Sequence, residues 1–313
     1  NVPTHYAAKV VDGPLAYAKV FVDRNDNLTW DVGEDSVLTN AQGSFDLFSS
    51  QTGDIVVTTD HQTRDLSSGV VVSGLTLKAP TGATVITPVT TLLTLLTDST
   101  TVGGVTVSGL NLTDAQAKLK AVLGLPDVDL MTFDPSSSLV NSDQAGAYLK
   151  VNVQLVGTLK ALSTLVSEVS TDAAVTPEGV FAKGMDLIAD KIKSLAVTET
   201  LSGSDIADIR ELALDLKQAY SIEDSRFDSA LVSVETAITN VNQAISRVTD
   251  LNDATTSVSS VNYKALDLMA VAQTTLSEQT AALVNSNTQT PMSLAVTNNF
   301  TANLIAAKGA IDH

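Results

Sequence analysis

The chain predicts an α+β protein: an N-terminal calcium-binding β-sandwich over residues 1–84, followed by an antiparallel α-helical bundle over residues 85–313. Three observations carry this expectation. Residues 1–82 fall into short β-branched runs bounded by Gly, Asp, Asn and Pro, the signature of a small all-β unit. At Thr87-Pro88 the periodicity changes to apolar spacings of three and four, which is helical. Between the first strands, residues 23–34 set oxygen side chains in the register of a twelve-residue calcium loop.

In the β region the expected strands are 6–11, 18–23, 36–38, 44–48, 54–59 and 69–72, with 75–79 closing the layer. Gly43 marks a turn, after which Phe45 and Leu47 alternate inward. Beyond it, Thr87 followed by Pro88 starts a helix, because the Thr side chain accepts an orphan amide and Pro has none to orphan. Thr113-Asp114-Ala115-Gln116 has the form of a capping box, opening a helix that stops at Gly124. Further helices are expected over 143–169, from Thr176-Pro177-Glu178, over 204–220, over 263–284 and over 294–311.

The clearest stripe is Leu231, Val234, Ile238, Val241, Ile245 and Val248, a heptad spacing. It suits either an intermolecular coiled coil or an internal seam, and the neighbouring amphipathic helices favour the seam. The Thr-rich tract 87–101 has no fixed period, so it reads as helix and loop surface rather than a ladder.

Within the loop, Asp23, Asn25, Asn27, Asp31 and Glu34 occupy positions 1, 3, 5, 9 and 12. Thr29 at position 7 offers its carbonyl, and Glu34 could chelate through both oxygens. Leu28 stands at position 6, where a turn-permitting Gly is usual, and a strand-like run precedes the loop. The expectation is therefore a structural calcium ion rather than a helix-loop-helix sensor. The competing reading is a metal-free Asx turn, since Asp and Asn bond their own backbones. Asp26 and Asp35 read as solvated charges outside the ligand set, and Trp30 as a packing residue. Asp127, Asp129 and Asp134 could hold a second calcium.

The order hairpin, loop, hairpin rests on Phe21-Val22-Asp23, Asn25, Asn27, Asp31, Gly33-Glu34, Thr39, Gly43 and Phe45. It resembles the calcium-binding B-type repeats of bacterial surface proteins and the related carboxypeptidase-regulatory-like sandwiches. A longer resemblance, to large secreted or surface-anchored bacterial proteins including calcium-dependent adhesins, runs as far as Pro135. It is carried by Leu77-Lys78-Ala79-Pro80-Thr81-Gly82-Ala83, Val85-Ile86-Thr87-Pro88-Val89-Thr90-Thr91-Leu92, Leu123-Gly124-Leu125-Pro126 and Asp129-Leu130-Met131-Thr132-Phe133-Asp134-Pro135. The resemblance implies an extracellular, cell-surface protein of adhesive or structural type. It supplies no catalytic residues.

Composition narrows the function classes. A formal charge of −17 opposes nucleic-acid binding, which needs clustered Lys and Arg, and disfavours anionic membranes. It suits divalent cations, or simple solubility. With Cys absent and three scattered histidines (His5, His61, His313), neither disulfides nor a His-rich zinc site is expected. No apolar run approaches the roughly 18 residues of a membrane span. The chain opens at Asn1 without Met or an apolar leader, which reads as a mature form or an excised module. Neither a nucleophile elbow nor a phosphate loop occurs. The acid pairs Asp127/Asp129 and Asp186/Asp190 read as a loop and a solvated helix face, not as a glycosidase dyad.

The expected protein is non-enzymatic: a calcium-rigidified module or self-assembling subunit of a surface layer, matrix or filament. Its partners would be copies of itself or other surface and matrix components. An edge strand near residues 6–11 could insert into a neighbour's sheet. The alternative is a module that binds a glycan or peptide, for which one Trp and five Tyr are a thin endowment.

Overall fold

The first strand, β1 (Thr4–Val10), enters a layered N-terminal region containing β2 (Leu15–Ala16), β3 (Lys19–Asp23), β4 (Ser36–Leu38), β5 (Ser44–Ser49), β6 (Asp54–Thr58), β7 (Arg64–Asp65), β8 (Thr76–Lys78) and β9 (Val85–Ile86). Helices follow: α1 (Pro88–Thr97), α2 (Leu112–Leu123), α3 (Ser142–Val169), α4 (Pro177–Ser194), α5 (Ile209–Ala219), α6 (Ser225–Ser246) and α7 (Ala265–Asn285). A hairpin of β10 (Thr100–Val102) and β11 (Val105–Val107) separates α1 from α2. The computed structural model describes residues 2–66, 69–102, 105–137, 139–140, 142–195, 208–246 and 265–285. The class is α+β, with N-terminal sheets and seven helices among the described residues.

Two sheets organise the N-terminal region, ordered β5-β1-β9 and β4-β3-β6-β8. β3 is central and buried, so Val20, Phe21 and Val22 are all inaccessible, and β6 pairs along its whole length from Lys19↔Thr58 to Asp23↔Asp54. β5 faces water on one side, which gives it the expected alternation: Phe45 and Leu47 buried, Asp46 and Phe48 exposed. Gly43 carries the chain from one sheet to the other at φ +80, and a Cβ there would press on the backbone of Pro14 and Leu15.

The expected strand over 69–72 does not form. Val71 makes a single bridge to Arg64, because a turn closed by Gly69 N–H to the Asp65 carbonyl precedes it and leaves too few residues for a ladder. The two-residue strands β2, β7 and β9 carry no periodic signal and are set by their partners.

Thr87 caps α1, its hydroxyl accepting from the Thr90 amide while the Thr90 hydroxyl accepts from the Thr87 amide. For α2 the start moves two residues upstream of the expected box. Asn111 is the cap, accepting from the Asp114 amide, and Gly124 ends the helix in the left-handed region. Thr176 caps α4, with Pro177 at its first position. The start expected near Ser204, the Gly103-Gly104 turn, Val248, His313 and the helix over 294–311 lie outside the described residues.

The heptad of α6 is an internal seam. Leu231, Val234, Ile238, Val241 and Ile245 are buried, and α6 packs on α3, α5 and α7. Its register against α3 is pinned by buried polar bonds: Gln154 Nε2 donates to the Asn242 carbonyl at 2.9 Å, and Asn242 Nδ2 to Thr158 Oγ1 at 3.1 Å. A mismatched register would strand these groups without partners. One connected apolar cluster runs from Val10 in β1 through Leu77 in β8 and Leu155 in α3 to Val284 in α7.

A buried carboxyl, Asp12, follows just after β1. Among the described residues, Asp12 Oδ1 has no hydrogen-bond partner. Burial, then the neighbouring Asp65 carboxylate, pushes the Asp12 carboxyl well above its usual range, against the opposing pull of Lys160. Burial likewise draws the Lys160 ammonium down, opposed by Asp12 and Glu278. A carboxyl raised in the folded state favours folding fully below pH about 4, and that contribution is lost as pH rises through the raised value. Asp12→Asn keeps the shape and removes the titration. Its stability relative to wild type should therefore climb between pH 4 and neutrality in urea unfolding; parallel curves would refute the assignment.

Candidate metal centre

β3 and β4 hold the ends of the loop. β3 delivers Asp23 as its last residue, and Val22 N–H reaches the Asp35 carbonyl at 3.0 Å as the chain returns toward β4. No helix flanks it, as the strand-like run before Asp23 requires. The sharp turn at position 6 is made by Leu28, at φ +61, and Asp26 also sits in the left-handed region at φ +55. A non-glycine residue there is strained, and the surrounding bonds hold it.

Asp23 is the hub of the turn and is 2% exposed. Its Oδ2 accepts from the Leu28 amide at 2.8 Å, and its Oδ1 from the Asn25 and Asn27 amides, both at 3.3 Å. Glu34 clamps the two ends: Oε1 accepts from the Arg24 amide and Oε2 from the Asp31 amide, each at 2.9 Å. Trp30 Nε1 donates to the Glu34 carbonyl, and the Lys19 ammonium stands 4.0 Å over the Trp30 ring. Trp30 thus fastens the loop to β3.

The tips of Asn25, Asn27 and Asp31 converge. Both amide nitrogens lie 2.9 Å from Asp31 Oδ2. An Asn amide turned by 180° exchanges N for O at almost no steric cost. Turned, Asn25 places an oxygen 2.9 Å from a carboxylate oxygen, an approach favourable only with a cation between them. Asn27 is held more firmly, because its Oδ1 accepts from the Thr29 amide at 2.8 Å.

Beneath these tips, Asp23 Oδ1 accepts from the backbone amides of the same Asn25 and Asn27. Glu34 already spends both oxygens on backbone amides, so its immediate role is bracing. Among the described residues, no group of three or more His, Cys, Asp or Glu side chains gathers at one point. Any ion here would draw on Asn and carbonyl oxygens for most of its shell.

The charges set outside the ligand set are structural ties. Asp26 pairs with Lys78 at 3.2 Å, and Asp35 accepts from Ser49 Oγ at 2.6 Å. Gln51 bridges the loop's end, accepting from the Asp35 amide and donating to the Gly33 carbonyl. The suggested second site does not assemble. Asp127 pairs with Lys120, Asp129 caps the Met131 amide, and Asp134 binds Lys9 and Ser136.

Gly53 makes close strand pairing at the loop possible, since a Cβ there would collide with the Asp23 carbonyl. Gly53→Ala should push β6 from β3, cost about 1–3 kcal/mol, and weaken any metal response. A stability and calcium response equal to wild type would show that Gly53 is not needed.

Sequence reading missed a charged cleft of about 350 Å³ between the loop, β8, α1 and α4. Asp98, Asp186, Lys78 and Lys193 line it, above Leu95 and Met185. Burial raises the Asp98 and Asp186 carboxyls, with nearby carboxylates adding to it and neighbouring lysines opposing. Burial draws the Lys78 ammonium down, but Asp54 and Asp26 outweigh it and hold the group above its ordinary value. Asp186 and Asp190 therefore border this cleft and are half-buried, rather than lying on a solvated face. The one available signal was their spacing of four on a helix.

No known protein family, curated protein or solved structure matches this chain. No helix among the described residues is long and apolar enough to cross a membrane.

Proposed function

We propose that the chain is a non-enzymatic structural or adhesive protein of the cell exterior, in which Ca2+ rigidifies the N-terminal region. In this reading the two sheets act as a β-sandwich of the calcium-binding B-type kind, and the helices as an antiparallel bundle that supplies bulk and contact surface. The observation that supports it most is the convergence of Asn25, Asn27 and Asp31 over Asp23, in a loop whose turn holds a strained Leu28. Without metal, Asn25 and Asn27 donate to Asp31, and the same placement would let the Asn25 side chain turn its oxygen, with Asp31, onto an ion.

A structural ion raises stability because it binds the native loop and not the unfolded chain. The gain is about 2.7 kcal/mol at a hundredfold excess over the dissociation constant. Calorimetric melting in calcium and then in chelator is the test. A higher melting temperature in calcium, reproduced poorly by magnesium, supports the reading; superimposable melts remove it.

The second reading, a module that binds a glycan or peptide, draws on the charged cleft beside Asp26 and Leu28. A glycan and peptide array probed in calcium addresses it, and uniform silence would discard it.

A further inference from the structure

The charged cleft has both polar and apolar walls. Four aspartates, three lysines, three hydroxyl residues and five apolar side chains line it. α4 presents two adjoining stripes there: Ala182, Met185 and Ala189 are apolar, while Lys183, Asp186, Asp190 and Lys193 are charged. Leu95 of α1 extends the apolar wall. An aliphatic stem suits the first stripe, and a charged head suits the second.

Most polar groups of the lining are already spent. Lys78 serves Asp26 at 3.2 Å and Asp54 at 3.1 Å. Lys193 reaches the Asp98 carbonyl at 3.2 Å and the Asp190 carboxylate at 3.7 Å. The Thr76 and Thr91 hydroxyls donate to backbone carbonyls, and Ser99 Oγ accepts from the Gly109 amide. Three side chains remain, those of Asp98, Asp186 and Lys183. None of them forms a hydrogen bond or an ion pair among the described residues.

The sign of the missing partner follows from the charges around it. Burial and neighbouring carboxylates work against both acids, and the lysines relieve them only in part. α1 adds to the bias, because it ends at Asp98 with no basic residue in its last turn. The C-terminal end of a helix favours a cation. An anion would face the unpaired acids, and a neutral sugar would leave them without a counter-charge. Asp98 and Asp186 also stand on different helices, which suits the three rotatable donors of an ammonium better than the planar fork of a guanidinium. A volume of about 350 Å³ lies at the small end of ligand pockets, so the guest is one side chain or one small molecule.

We propose that the cleft binds a protonated primary amine on an aliphatic stem, with Asp186 as counter-charge on the α4 wall and Asp98 on the α1 wall. The stem lies along Leu95 and Met185. The assignment rests on the second reading above, in which the cleft is the binding surface, and it gives that surface a ligand class. Two sources supply the chemistry, a free alkylamine and a lysine side chain of another protein. Lys183 is the internal competitor, since it acts on Asp186 through space.

The full chain labelled at its methionine methyls reads the site directly, because Met185 lines the cleft and Met131 does not. Pentylamine and a capped lysyl tripeptide are the probes, in physiological salt, with pentanol as the uncharged counterpart. Saturable movement of the Met185 signal with amine is expected, with Met131 still and pentanol inert. Saturation at lower tripeptide than pentylamine concentration assigns the site to a protein lysine, and the reverse order to a free amine. Asp186→Asn should weaken binding about tenfold or more. It should also melt no lower than wild type at neutral pH, since the amide has no charge for burial to oppose. Lys183→Gln should tighten binding by removing the competitor. Unchanged affinity in either variant, or amine that moves Met131 as much as Met185, overturns the proposal. A Met185 signal that answers a glycan or peptide from the array but neither amine overturns the ammonium class and spares the cleft; one that answers no ligand sinks both.

Discussion

Asp23→Ala is expected to lower stability by about 3–5 kcal/mol in urea unfolding and to abolish the calcium response. Asp23 is buried at the end of β3, and its carboxylate accepts from the Leu28, Asn25 and Asn27 amides. Removing it leaves these amides to water or to nothing, and it releases Leu28 from a left-handed conformation that the carboxylate holds. The apolar layer beneath is untouched, so the variant should fold with a lower midpoint. The comparison that isolates the metal is Asp26→Asn, which loosens the Lys78 tie yet leaves the converging face intact. Asp26→Asn should keep its calcium shift, whereas Asp23→Ala should show none. A calcium shift that survives Asp23→Ala would move the ion elsewhere.

Phe181→Ala should cost about 3–5 kcal/mol, the range for emptying a large aromatic site. Phe181 is fully buried in α4, the helix that touches both halves of the chain. α4 packs on α3 and α1, and it approaches β8 through the Thr76 hydroxyl, which donates to the Glu178 carbonyl at 3.4 Å. The approach to α3 is close because residue 184 is Gly; a Cβ there would overlap the Leu159 side chain. With so little slack, the surroundings cannot collapse into the space that Phe181 leaves. Val232→Ala, on the exposed side of α6, should change stability by under about 0.5 kcal/mol. Equal effects of the two substitutions would contradict the packing described.

The legible parts of the fold are those where one face meets water. β5 alternates because Asp46 and Phe48 are solvated, and α6 carries its stripe because one side is buried on α3. Caps were legible where Pro fixed the phase, at Thr87 and Thr176. At α2, where no Pro did so, two oxygen-bearing candidates stood close together, and Asn111 took the place expected of Thr113. The two-residue strands were illegible, because two residues have no period. In the loop, spacing singled out the side chains that bond within the turn but not the job of each, and Asp26 and Asp35, read as solvated charges, turn out to tie the loop to Lys78 and Ser49. Asp23 and Glu34 read as equal ligands, while their carboxylates accept backbone amides and only Asn25, Asn27 and Asp31 meet at a point.

The amino-acid order alone determined the α+β class, the switch near Thr87 and the loop between β3 and β4, since each depends on neighbours a few residues apart. The charged cleft, the electrostatic coupling of buried Asp12 to Lys160 and the short pairing of β1 with β9 were decided only by the tertiary structure. Each brings together groups more than forty residues apart, and local periodicity carries no information about which distant surfaces meet.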